Sequence, residues 1–147
     1  MTSWTEPQKP PLGTILVVED EFLLRVVAAE FLENEGFVVL EACNADEAME
    51  ILCSRTDVSL VLTDINMPGS MDGLELAHLT YRRWPQIKIV VVSGKVKPSS
   101  SDLPPDSRFI EKPYRVAHVI SQVRSLLGVV PHAQSELFCS DAGPRIV

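Results

Sequence analysis

Cysteine, positive charge and long apolar runs are all scarce in this chain. Its three cysteines, Cys43, Cys53 and Cys139, are odd in number and far apart, and no C-x-x-C pair occurs. Metal and redox spacings are therefore absent. The thiols read as reduced, with Cys43 and Cys53 as packing residues, which fits a cytoplasmic protein. Lysine and arginine total 13 against 20 aspartates and glutamates, a formal net charge of -7. Such a surface repels phosphate backbones, and no basic run or zinc-finger spacing offsets it, so direct nucleic-acid binding is excluded. No stretch approaches the roughly 18 apolar residues of a membrane span. The start, 1–12, is polar with Pro7, Pro10 and Pro11, reads as a flexible segment, and lacks the apolar run of a signal peptide. Neither G-x-G-x-x-G nor a P-loop is present, which disfavours nucleotide binding.

What remains is a sequence suited to one globular domain. Of 147 residues, 46% are hydrophobic and 22% charged. Five short apolar runs alternate with longer helical patterns. Strands are expected over 14–18, 37–41, 58–63, 87–92 and 108–110. Helices are expected over 21–35, from a cap at Asn44 or Asp46, over 72–84, and over 114–127. Gly36 and Gly128 are natural stops, and Pro85 ends the third helix by removing a donor. Alternating strands and helices with short connections imply right-handed crossovers and a parallel sheet with helices on both faces. The first, third and fourth strands are nearly continuous in Val, Ile and Leu, as strands buried on both faces should be. The second and fifth belong at the edges. The expected fold class is α/β, a flavodoxin-like doubly wound five-stranded sheet in the order 2-1-3-4-5.

Helix four is the weak element. Between Gly94 and Ser107 three prolines leave room for one or two turns, near 98–103, so a short or irregular helix is expected. The domain should occupy 13–128, and 129–147 reads as a mobile tail.

Two of the buried runs end in carboxylates. Glu19 and Asp20 follow the first strand, and Asp64 ends the third just before Asn66, Met67, Pro68 and Gly69. In doubly wound sheets ligands bind at the carboxyl ends of strands, where the order reverses. Here that point lies between the first and third strands. Three acidic groups gathered there would suit a cation and a phosphoryl group.

These residues resemble a response-regulator receiver domain. The resemblance rests on Val17-Val18-Glu19-Asp20, on Asp64 through Gly69 with Met71-Asp72-Gly73, on Val92-Ser93-Gly94, and on Glu111-Lys112-Pro113. Each piece closes an expected strand, and together they cover about 13–127. The resemblance implies that Asp64 is a phosphoacceptor attacking a phosphohistidine. It implies a Mg²⁺ ion held by Asp20, Asp64 and the Asn66 backbone carbonyl, with Glu19 acting through water. It implies that Lys112 and Ser93 bind phosphoryl oxygens, that the Lys112–Pro113 peptide is cis, and that Ser93 and Phe109 form the switch. Phe109 stands where many relatives have tyrosine. The turn from Pro68 to Asp72 is one residue longer than the commonest pattern. The implied partners are a sensor histidine kinase or histidine phosphotransfer protein and an unidentified downstream protein. A homodimer is compatible, although a degraded fourth helix alters the surface through which it usually forms. Such a protein catalyses only its own phosphorylation and dephosphorylation.

Plainer readings exist for each residue. Glu19 and Asp20 alone could be a solvated pair, Ser93 a turn residue and Phe109 core packing. His78 and His118 lack partners at metal spacing and read as surface residues; Arg82 and Arg83 read as a solvated face and Trp84 as helix-end packing. Two other functions compete. A phosphotransferase of the haloacid-dehalogenase type also uses a strand-end Asp, but it wants a second acid where Asn66 stands. A phosphorylation-independent interaction module of the same fold would not need the full acidic set.

Overall fold

Strand β1 (Thr14–Val18) is buried along its whole length and lies beside two neighbours, β2 (Val38–Ala42) and β3 (Val58–Asp64). The computed structural model describes residues 10–129 and 145–146. The remaining elements are α1 (Phe22–Asn34), α2 (Ala45–Ser54), α3 (Gly73–Arg83), β4 (Lys88–Ser93), a single 3-10 turn (Ser100–Asp102), β5 (Arg108–Glu111), β6 (Tyr114–Arg115), α4 (Val116–Leu127) and β7 (Arg145–Ile146). The principal sheet is parallel in the order β2-β1-β3-β4-β5. The apolar runs β1, β3 and β4 take its centre and the weaker strands its edges, as their composition implied.

Alternate residues of each strand feed two cores. Ile15, Val17, Leu60, Leu62, Val90 and Val92 pack under α1 and α4, through Ala28, Leu32, Val119 and Val123. Leu16, Val18 and Val61 pack under α2 and α3, through Ala48, Leu52 and Leu76. Burying one such aliphatic side chain stabilises the fold by roughly 1.5–3 kcal/mol, so these two layers fix the register. In that register Val18 lies opposite Thr63, and Asp64 lies opposite Val92. The strands therefore end in step, and the residues following them share one rim.

Local signals set the helix starts. Asn44 caps α2 by accepting from Glu47 N–H at 2.8 Å. Asp72 and Glu75 form a reciprocal capping box at the start of α3. Two expectations need adjustment, at the start of the last helix and at Cys53, whereas the one for helix four holds. The helix expected from 114 starts at Val116, because Tyr114 and Arg115 are extended and pair antiparallel with Ile146 and Arg145. Helix four is reduced to one 3-10 turn, as the prolines demanded, closed by Ser99 and Asp102 and joined to α3 by a 2.7 Å contact from His78 Nε2 to the Asp102 carbonyl. Cys53 is exposed, so it is a surface residue, not a packing one, because it lies on the face of α2 turned away from the sheet. Most of 1–12 and 129–147, including Cys139, lies outside the described residues. No described helix is long and apolar enough to cross a membrane.

Candidate functional site

Asp64 closes β3, and the chain turns immediately behind it. The Thr63 hydroxyl donates to the Asp64 carbonyl at 2.9 Å, and Gly73 N–H donates to the Ile65 carbonyl at 2.8 Å. The first residue of α3 consequently presses on the acceptor's own backbone. A Cβ on Gly73 would sit 1.7 Å from the Asp64 carbonyl oxygen, so only glycine fits there. Glu19 leaves β1 with its N–H bonded to the Ala42 carbonyl at 3.0 Å, and its carboxylate accepts from Glu21 N–H at 3.2 Å. Asp20, the next residue, is exposed on the rim. One carboxylate oxygen from each of Glu19, Asp20 and Asp64 lies within 4.8 Å of the others. This oxygen-only set suits a hard divalent cation.

Lys112 reaches the cluster from the end of β5. Its Nζ donates to Glu19 Oε2 at 3.1 Å and to Asp64 Oδ2 at 3.3 Å. Its backbone N–H bonds to the Ser93 carbonyl at 3.0 Å, and its peptide bond to Pro113 is cis. Ser93 is buried. Its Oγ accepts from Val96 N–H at 3.1 Å and Lys95 N–H at 3.3 Å, and Asn66 Nδ2 lies 3.4 Å from it. Asn66 N–H in turn approaches Asp64 Oδ1 at 3.4 Å.

The electrostatics follow from crowding. Burial, and then the neighbouring Asp64 charge, push the Glu19 carboxyl up to about 7. Burial alone would pull the Lys112 ammonium down, but the charges of Asp64 and Glu19 outweigh it and hold it above the ordinary lysine value. Burial also raises the Tyr114 phenol, two residues beyond Lys112.

The fold thus brings Glu19, Asp20, Asp64, Asn66, Ser93 and Lys112 to one rim. Phe109 stands apart. It is half-buried against the apolar cluster of Ile65, Ala77, Ile89 and Val91, so it performs the packing role in this structure. His118 is exposed, and Trp84 packs at the end of α3 with the Arg83 guanidinium 4.7 Å above its ring. Two residues at the site have roles that the sequence did not reveal. Gly73 entered only as part of the Met71-Asp72-Gly73 motif, and its contact with Asp64 exists only after folding. Arg25 interrupts the apolar face of α1, four residues after Glu21, and that break was its only trace.

Comparison with known proteins agrees with this geometry. A profile of the response regulator receiver domain matches residues 15–124. The response regulator receiver protein CpdR of Brucella abortus (strain 2308) is 33% identical over 116 residues, covering 77% of this chain and 95% of CpdR. The sensor kinase CckA of the same organism is 33% identical over 119 residues, covering 78% of this chain and 12% of CckA, so the similarity concerns a small part of that kinase. Among solved structures, the response regulator TrrA of Thermotoga maritima, in complex with Mg²⁺–BeF, superposes with a TM-score of 0.68 at 29% identity, covering 78% of this chain and 98% of that one. A profile that runs from β1 into α4, and a relative matched over nearly its whole length, lead to one conclusion: the chain belongs to the response regulator receiver domain family, whose general function is to accept a phosphoryl group.

Proposed function

We propose that Asp64 accepts a phosphoryl group from a phosphohistidine on a sensor kinase or a histidine phosphotransfer protein, and that the phosphorylated chain signals by protein contact. The observation that carries this is the placing of Lys112 Nζ 3.3 Å from Asp64 Oδ2, inside a cluster of three carboxylates. An aspartate oxygen attacks phosphorus, the phosphorus–nitrogen bond breaks, and the histidine leaves with the electron pair. Asp20, Asp64 and the Asn66 carbonyl would hold Mg²⁺, with Glu19 acting through water. When bound, Mg²⁺ offsets the charge of the carboxylates and of the incoming phosphoryl oxygens. TrrA was solved in complex with Mg²⁺–BeF, which supports reading the acidic cluster of this chain as a magnesium site.

The remaining steps belong to this chain's own groups. Lys112 leaves the carboxylates to contact a phosphoryl oxygen, a point charge on a flexible stem. The Ser93 hydroxyl donates to another. Movement of Ser93 strains its bonds to Lys95 and Val96 and loosens the segment leading to the 3-10 turn, beyond which Leu103 shares with Phe109 the apolar cluster of Ile65, Ile89 and Val91. The chain acts only on its own acyl phosphate, in the cytoplasm. Asn66 carries an amide, which cannot serve as the acid–base group that a phosphomonoesterase of the haloacid-dehalogenase type needs.

Incubation with Mg²⁺ and acetyl phosphate tests the reading. The wild type is expected to gain one phosphoryl group by intact mass, and Asp64→Asn none. An unlabelled wild type, or equal labelling of the variant, would sink it.

A further inference from the structure

Arg25 lies on the first turns of α1, outside the acidic cluster, and spans three elements. Its Nη1 donates to the Glu19 carbonyl at 3.0 Å. Its Nε donates to Glu41 Oε1 at 3.1 Å, at the end of β2. Its guanidinium carbon sits 5.4 Å from the centre of the Phe22 ring. Only 15% of its side chain is exposed, whereas Glu41 is 42% exposed.

These contacts bear on Asp20. The Glu19–Asp20 peptide is held by Arg25 at the Glu19 carbonyl. The next peptide, Asp20–Glu21, is held by the Glu19 carboxylate, which accepts from Glu21 N–H, so the backbone on both sides of Asp20 is tied. Asp20 itself is exposed on the rim, so backbone placement aims its carboxylate. We infer that Arg25 is a positioning residue for the cation site: by clamping the Glu19 carbonyl to Glu41, it holds Asp20 in the cluster and sets the affinity for Mg²⁺. This rests on the magnesium reading of the preceding subsection.

Charge and position make opposite predictions, so the inference can fail cleanly. If Arg25 acted only as a nearby positive charge, removing it would tighten cation binding. Arg25 is already paired with Glu41, which cancels much of that field, so loss of the clamp dominates. Outer partners that orient metal ligands typically contribute about 10- to 100-fold in affinity.

The test is calorimetric titration of the metal-free full chain with Mg²⁺, compared across wild type, Arg25→Met, Arg25→Lys and Glu41→Gln. The expected result is a Kd weaker by about tenfold for Arg25→Met, because an outer orienting partner is lost. Arg25→Lys should recover part of the loss, since one ammonium cannot hold both acceptors in the fork geometry. Glu41→Gln should weaken binding less than Arg25→Met. Acetyl phosphate labelling of Arg25→Met should return to the wild-type rate at saturating Mg²⁺. Unchanged or tighter Mg²⁺ binding by a folded Arg25→Met would overturn the inference, as would a labelling defect that saturating Mg²⁺ does not relieve. Wild type that binds no Mg²⁺ would instead overturn the magnesium reading itself; where wild type does bind, loss of binding in Asp20→Asn ties the measured ion to this cluster.

Discussion

The Lys112 ammonium stands 3.1 Å from Glu19 Oε2, nearer than the 3.3 Å that separates it from Asp64 Oδ2. The lysine is therefore shared, and one of its holders is a residue that would not carry phosphate. Removing the ammonium leaves two carboxylates, with side chains 9% and 11% exposed, facing one another uncompensated. Lys112→Met should destabilise the metal-free protein at pH 8 by about 2 kcal/mol, below the usual loss for a fully buried pair because some solvent reaches the site. Mg²⁺ should restore part of that loss. Urea unfolding in EDTA and in Mg²⁺ measures both; equal midpoints for variant and wild type in EDTA would contradict the shared-lysine arrangement.

Glu19 gives the metal-free protein a pH dependence of defined sign. Its carboxyl is raised from 4.5 to about 7, so the folded state binds its proton more tightly than the unfolded chain does. Its contribution to stability is complete below pH 4.5 and is lost as pH rises through about 7. The total is at most about 3 kcal/mol, from the size of the shift. Unfolding midpoints in EDTA at pH 5 and pH 8 should differ more for wild type than for Glu19→Gln, and Mg²⁺ should flatten the wild-type profile. Parallel profiles for the two proteins would contradict the assignment.

Gly73 should tolerate no side chain. The 1.7 Å approach of an added Cβ to the Asp64 carbonyl oxygen means that the start of α3 must retreat. Gly73→Ala should destabilise by about 3 kcal/mol or more, at the upper end for overpacking, and should slow labelling of Asp64. Gly69→Ala is the control. Its φ of +115 disfavours alanine, but no atom lies within 4 Å of the added Cβ, so its cost should be nearer about 1 kcal/mol. Chemical denaturation that ranks the two variants in the reverse order would refute this account.

Ser93 holds the backbone that follows it. Ser93→Ala removes the acceptor used by Lys95 and Val96 N–H. Each such bond is worth about 1 kcal/mol net, so amide hydrogen exchange at these two positions should quicken by about fivefold while the β4 interior stays protected. Unchanged exchange at Lys95 and Val96 would show that the loop is held by other contacts.

Most of the sheet was legible because its determinants are local and repetitive. Nearly continuous Val, Ile and Leu in β1, β3 and β4 marked central strands, and punctuation at Gly36, Pro85 and Gly128 marked the helix ends. The acidic rim was legible because Glu19, Asp20 and Asp64 each follow an apolar run. What escaped depends on contacts between distant segments. Tyr114 and Arg115 look helical in isolation, and only pairing with 145–146 draws them into extended form. Arg25 reads as a blemish on an apolar face until β2 brings Glu41 beside it. Gly73 reads as a helix start until the turn after β3 folds its Cα against Asp64. Phe109, by contrast, takes the packing role that its apolar side chain suggested, against the cluster of Ile65, Ala77, Ile89 and Val91.

That short turn shapes how the molecule meets a protease. Between Ser93 and Arg108 only a few backbone bonds close on themselves, from Asp102 to Ser99, Leu103 to Ser100 and Ser107 to Pro104. Side-chain anchors such as His78 and Leu103 hold the rest. A segment tied by a handful of knots opens without unravelling the sheet. Limited digestion should therefore nick this seam first, splitting the chain into a piece that retains Asp64 and a piece that retains Lys112.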